Sequence, residues 1–213
     1  MKKLLCLLSA FAVFIISGCT SKPSEAPLFE KYVAEGTKYP VKIVWEGLYY
    51  SYDSIEPIEC VTTSYILSPD KFYYSQDFGD ETSDFLYDGN VMYSIDHTEK
   101  AAFASPLNPG DAEEMGEIYI AYIPTHPENW ALTEKGEAQY EGNTYLYETA
   151  VCKNGENEYF LTLYADPESN EIKYVSDHNT EELTRFVEMT HSFDLRIFEI
   201  PDDYEIVNMP GAK

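Results

Sequence analysis

Short-range turn signals recur through most of this chain, and they constrain its fold more than any other feature. They are Ser68-Pro69-Asp70, Asp88-Gly89-Asn90, Asp96-His97-Thr98-Glu99, Glu141-Gly142-Asn143, Asn154-Gly155-Glu156 and Asp166-Pro167-Glu168-Ser169-Asn170. Gly and Asn supply positive φ, and Asp accepts hydrogen bonds from its own turn amides. Between them lie runs rich in Tyr, Phe, Val, Ile and Thr: Val41–Tyr52, Ile58–Leu67, Lys71–Gln76, Asp84–Tyr87, Val91–Ile95, Ala101–Ala104, Thr144–Cys152, Glu158–Ala165, Glu171–Asp177 and Thr184–Phe193. Connections this short join antiparallel neighbours and leave no room for crossover helices. A mainly β fold follows, with a curved antiparallel sheet. A sheet of about ten strands must curl strongly or close.

The strand period adds a second constraint. In Thr144–Cys152, Tyr145, Tyr147 and Val151 point one way, and Leu146, Glu148, Ala150 and Cys152 the other. In Glu158–Ala165, Tyr159, Leu161, Leu163 and Ala165 share a face opposite Phe160 and Tyr164. A half-buried strand is polar on one side, whereas these carry bulky residues on both. Either both faces are covered or one lines an apolar concavity. Tyr, present 19 times, suits both with its apolar ring and polar tip, and its high β-propensity also favours it here. Two segments have helical character. Ser24–Gly36 presents Leu28, Tyr32 and Val33. Asp111–Ile123 presents Met115, Ile118, Tyr119 and Tyr122 at helical spacing, opened by Asp111 and stopped by Pro124 and Pro127. Thr180-Glu181-Glu182 is expected to form one further turn.

Residues 1–18 read as an address. Lys2 and Lys3 precede an apolar stretch from Leu4 to Ser17, fourteen residues long, which suits a secretory signal and is short for a membrane span of about 20 residues. Ile16-Ser17-Gly18-Cys19 resembles a bacterial lipobox. The resemblance implies cleavage after Gly18 and acylation of Cys19, which would anchor the chain stably on the outer side of a membrane. Residues 19–27 are then the lipidated cysteine and a polar tether, 28–209 one β-rich domain, and 210–213 a tail. A tether of eight residues reaches at most roughly 26–29 Å and keeps the domain near the bilayer. Of the other cysteines, Cys60 and Cys152 remain after cleavage, either as a disulfide or as two buried thiols.

Charge excludes some functions. The chain has 14 Lys and Arg against 38 Asp and Glu, for a net −24; the first eighteen residues hold two of the lysines and no acid, so the remainder carries −26. Nucleic-acid binding needs clustered cations and is excluded. With 44% apolar and 15% aromatic residues the chain has the means to build a core. No metal-ligand or cofactor motif occurs, and the sequence calls for neither. His97, His126, His178 and His191 lie far apart and read as structural. The Asp166–Glu171 run lacks the central Gly of a calcium loop and reads as a hairpin turn. No enzymatic motif is present. An enzyme would need carboxylates converging in the concavity, with Glu148 and Glu188 as the acids to inspect, because both interrupt mixed or apolar strand faces.

Three stretches together resemble the LolA/LolB-like lipoprotein-carrier superfamily. Phe85-Leu86-Tyr87-Asp88-Gly89-Asn90-Val91-Met92-Tyr93-Ser94-Ile95-Asp96, followed by Lys100, is similar to its strand–turn–strand element. Tyr164-Ala165-Asp166-Pro167-Glu168-Ser169-Asn170-Glu171-Ile172 is similar to its later hairpin. Phe198-Glu199-Ile200-Pro201-Asp202-Asp203-Tyr204 is similar to its closing segment. The resemblance implies an antiparallel half-barrel, one or two short helices over its concave face, and an apolar concavity for acyl chains. The chain departs from soluble carriers by its own lipid cysteine, and its only arginines, Arg185 and Arg196, lie late.

The reading is therefore a membrane-anchored extracytoplasmic lipoprotein that binds a hydrophobic or amphiphilic ligand. Met115, Ile118, Tyr122, Tyr145, Tyr147, Leu161 and Leu163 are the expected lining, with the face presented by each strand open to inversion by a one-residue register change. The alternative is a protein-interaction or envelope-stress sensory module with a filled core. A pocket of several hundred Å3 separates the two.

Overall fold

The computed structural model describes residues 27–49, 56–107, 119–154, 157–177 and 183–210. One helix, α1 (Leu28–Gly36), leads into β1 (Val41–Tyr49), β2 (Ile58–Ser68), β3 (Lys71–Asp77), β4 (Thr82–Asp88), β5 (Val91–Asp96) and β6 (Ala101–Pro106). The short β7 (Tyr119–Ile120) and β8 (Ile123–Pro124) follow. Then come β9 (Trp130–Tyr140), β10 (Asn143–Asn154), β11 (Asn157–Ala165), β12 (Ile172–Ser176), β13 (Thr184–Thr190) and β14 (Glu205–Asn208). All but β7 and β8 form one 12-stranded sheet in the order β14-β6-β5-β4-β3-β2-β1-β13-β12-β11-β10-β9. The result is a large curved open sheet with a helix on one face, the half-barrel architecture expected from the sequence. Among the described residues every pairing in it is antiparallel except β14 on β6, which is parallel.

Two strands escape the turn-and-run pattern. The β9 sequence is polar, and most of its residues are exposed, so no alternation marks it. Strand β14 is four residues long. The stretch with helical spacing also differs where it is described: Tyr119–Pro124 forms a separate hairpin, with Ile120 opposite Ile123. Ala121 and Tyr122 turn it with φ of 51° and 61°, the two-residue geometry whose twist matches a hairpin. Residues 111–118 and Thr180–Glu182 lie outside the described residues.

Both faces of the sheet are covered in part. Helix α1 presents Phe29, Tyr32, Val33 and Gly36, all buried, at i, i+3, i+4 and i+7. With Ile120 and Ile123 these pack on the inner face against Val41, Ile43, Trp45, Ile66, Leu161, Leu163 and Val175. Gly36 permits a close approach: a Cβ there would stand 2.3 Å from Ile123 Cδ1. On the outer face, Phe193, Ile197, Phe198 and Tyr204 lie over Tyr65, Tyr73, Leu86 and Ile95. The outer face of β10–β12 carries tyrosines that stack on one another, Tyr145 on Tyr174 at 5.4 Å and Tyr147 on Tyr164 at 6.2 Å. Ring-on-ring packing with wet hydroxyl tips accounts for part of the Tyr content.

Candidate functional site

The inner face divides into two ends. Under α1 it is solid: Ala150, Leu161, Leu163 and Val175 have no exposed surface. Beyond the β7–β8 hairpin it opens into a cleft of about 390 Å3 bounded by Trp45, Tyr49, Cys60, Thr62, Tyr74 and Tyr122. Strand alternation creates this lining. Trp45 faces Thr62 and Gly47 faces Cys60 across β1–β2, and Gly47 leaves room where a side chain would stand. Tyr122 reaches the cleft because both turn residues of its hairpin take positive φ. Its ring meets Trp45 edge-on at 5.1 Å.

The lining of this cleft is uncharged and mixed, with Thr62, Gln76 and Thr184 beside the aromatic rings. None of its described lining residues is charged. Among the described residues Trp45 Nε1 is buried and finds no hydrogen-bond partner. Such an atom costs free energy unless something satisfies it. Tyr32 Oη and Ser64 Oγ are buried and unpartnered as well. Burial pushes the phenols of Tyr74 and Tyr122 above their ordinary range, and a hydrogen bond with Thr184 offsets part of the Tyr122 shift. Burial also raises the Cys60 thiol, so near neutral pH it is a protonated, weakly nucleophilic group. Two of its lining residues, Leu48 and Tyr49, are exposed apolar side chains and mark its mouth.

Further clefts flank the sheet, and two of them border β13. One of about 750 Å3 lies where β12 and β13 part, between Ile172–Tyr174 and Arg185–Met189. The other, about 630 Å3, lies on the outer face below the C-terminal segment. It contains cations and acids that pair with each other, Lys42 with Glu188 at 3.0 Å and Arg196 with Asp194 at 2.5 Å.

The residues singled out from sequence separate into groups. Tyr122 lines the inner cleft. Leu161 and Leu163 share the inner face but sit in its solid end. Tyr147 lies on the outer face, its hydroxyl donating to Glu134 at 2.5 Å, and Tyr145 is buried there against Tyr174. The register explains the split: Leu161 pairs with Ala150 and Leu163 with Glu148, so the β10 tyrosines face away from them. Met115, Ile118 and Cys19 lie outside the described residues. Sequence reasoning missed Trp45, Tyr49 and Tyr74; the one signal available was β1–β2–β3 alternation, which marks two faces without saying which is inner.

The two acids also have structural partners. Glu148 Oε2 accepts the Phe29 backbone N–H at 3.0 Å. It satisfies an amide at the start of α1, where Pro27 offers no side-chain cap. Glu188 lies on the opposite face with Lys42, so the two carboxylates do not converge. His97 bridges Asp84 and Tyr204 at 2.8 and 2.7 Å, tying the closing segment to the sheet. His191 bridges Glu35 and the Pro40 carbonyl. Cys60 and Cys152 are both buried and are not joined in a disulfide. Among the described residues no group of three or more His, Cys, Asp or Glu is placed to hold a metal ion, and no helix is long and apolar enough to cross a membrane.

No protein-family model matches the chain, and no curated protein matches its sequence. Solved structures with a similar course of chain include an uncharacterized conserved protein from Thermus thermophilus. It has a TM-score of 0.46 and 11% identity, over 85% of this chain and 97% of that one. LprF from Mycobacterium bovis has a TM-score of 0.39 and 10% identity, over 84% and 98%. MucB, in a complex with MucA(peri), has a TM-score of 0.37 and 9% identity, over 84% of this chain and 60% of that one.

Proposed function

We propose that this protein is a membrane-anchored extracytoplasmic lipoprotein that holds a hydrophobic or amphiphilic ligand at the open end of its half-barrel, without catalysing a reaction. The observation that carries this reading is the cleft of about 390 Å3 lined by Trp45, Tyr49, Tyr74 and Tyr122, within the ~300–1,000 Å3 range of small-ligand sites. Its uncharged lining suits an apolar ligand, and the unpartnered Trp45 Nε1 would donate to one ligand oxygen. The exposed apolar side chains at the mouth would meet the ligand on entry. The lipobox-like Cys19 supplies membrane proximity. Native mass spectrometry of the full chain taken from bacterial membranes tests the reading. Bound lipid that disappears in Thr62→Trp, which fills the cleft, supports it. Absence of co-purified lipid together with no binding of a fluorescent fatty acid overturns it.

A second reading, a protein-interaction or envelope-stress module, draws on β9. This edge strand has 11 residues, most of them exposed, and among the described residues no strand pairs with its outer edge, which could take up a partner strand. A stable partner complex that survives Thr62→Trp but is lost on Lys135→Pro, which removes a β9 backbone donor, would favour it over ligand carriage.

A further inference from the structure

Two neighbouring spaces, one on the inner face and one that opens through the gap to the outer face, are separated by one side chain. Strands β12 and β13 are in register at two pairs, Tyr174 with Arg185 and Val175 with Thr184. The ladder stops at Arg185, while β13 continues to Thr190 along β1. The strands part there, and the cleft of about 750 Å3 fills the gap, with Tyr32 of α1 against it. Thr184 and Trp45 belong to the other cleft, of about 390 Å3. Phe186 stands between them. Its ring lies 5.2 Å from Trp45 at 62° and 6.4 Å from Tyr32 at 78°. Three rings packed edge to face thus make the partition.

We propose that Phe186 is a gate between the inner cleft and the β12–β13 gap, and that it sets the length of apolar chain the protein accepts. This rests on the ligand-binding reading above. Three features distinguish Phe186 from an ordinary core residue. It is only half-buried, and the gap gives its ring a place to turn, so opening needs a rotamer change rather than a backbone movement. The β1–β13 register slips between Val44 and Trp45, leaving Val187 as the extra residue, and a bulge re-aims the side chains beside it. Finally, each side of the partition holds a buried polar atom without a partner, Trp45 Nε1 on one and Tyr32 Oη on the other. A fully packed partition leaves few such atoms; a ligand threading past Phe186 would offer them partners. Beyond the gate an apolar strip runs along Ile172 and Met189, both packed against the core, while charged side chains, among them Lys31, Glu35, Lys173 and Arg185, line the rest of the gap. A short chain fits the inner cleft with the gate shut. A long chain must displace the ring.

Displacement of Nile red from the full chain by monocaprin and by monopalmitin tests the gate, with Phe186→Leu and Phe186→Ala alongside. The wild type is expected to bind the short chain more tightly by roughly tenfold, the scale on which an apolar pocket discriminates by size. Phe186→Leu should narrow that preference and Phe186→Ala abolish or reverse it. Thermal melts identify variants that are folded, and Phe186→Leu, the milder change, carries the conclusion where Phe186→Ala is not. An unchanged length preference in folded Phe186→Leu overturns the gate while leaving the ligand-binding reading in place. Failure of both probes to bind the wild type overturns that reading, and the gate with it.

Discussion

The two ends of the inner face are built from the same alternating strands, yet one is solid and the other hollow. Under α1, Leu161, Leu163 and Val175 are wholly enclosed, because a helix with four inward residues fills the curvature. At the other end the cover is the tip of a two-residue turn, and large rings around a glycine leave a void that they cannot fill. Curvature is common to both ends. The size of the covering element decides which becomes core and which becomes cavity.

Substitutions at the two ends should therefore separate stability from binding. The largest loss is expected at the solid end: Leu163→Ala should lower unfolding free energy by about 2–5 kcal/mol in urea titrations, with ligand affinity of the folded fraction unchanged. Gly36→Ala should cost about 1–3 kcal/mol by overpacking. Its Cβ would meet Ile123 at 2.3 and 2.8 Å, and Ile123, 1% exposed, has nowhere to retreat. At the hollow end, Tyr74→Ala should cost only about 1 kcal/mol but weaken binding of a hydrophobic probe severalfold. An equal stability loss at Tyr74 and Leu163 would erase the distinction between the ends.

The two thiols give the finest comparison. Cys60 and Cys152 are 7% and 6% exposed, but Cys60 borders the cleft, whereas Cys152 belongs to the packed core. Native alkylation should label Cys60 slowly and Cys152 only after unfolding. Because burial raises the Cys60 pKa, its labelling should go on climbing with pH beyond the point where that of a free thiol levels off. The accompanying stability term has a definite sign. It is fully present below the unfolded thiol value of about 8.5 and is lost as pH rises through the higher folded value. A bound ligand should suppress labelling of Cys60.

Much of this architecture was legible in the sequence. Asp88-Gly89-Asn90 and Asp166–Asn170 are turns because their residue chemistry permits little else, and the strands beside them followed. Helix α1 was visible in Leu28, Tyr32 and Val33. Strand β9 was not, since an edge strand wet on both sides has no alternation to read. The hairpin at Ala121-Tyr122 was hidden for another reason: neither residue advertises positive φ, and Ile118, Tyr119 and Tyr122 fall at helical spacing by coincidence. The site was least legible. Alternation in β10 and β11 distinguishes two faces, but only the pairing of Leu163 with Glu148 tells which tyrosines look away. Trp45, Tyr49 and Tyr74 come together through three strands and a hairpin tip, a convergence no local pattern encodes.

The strand order also bears on how the molecule assembles in time. Strands β1 to β6 are a run of sequence neighbours, and so are β9 to β13; among the described residues the sheet joins the two runs at β1 and β13, where Lys42 aligns with Thr190. Each run can zip up from its own hairpins as the polypeptide is made. The seam between them, and the parallel docking of β14 on β6, must wait for the end of the chain. Helix α1 waits as well, since the carboxylate that caps its Phe29 amide lies 119 residues downstream. Two locally quick halves and one distant seam place the slow step at the joining. Until then the β1 edge stays bare, and the hydrophobic interior has only one wall.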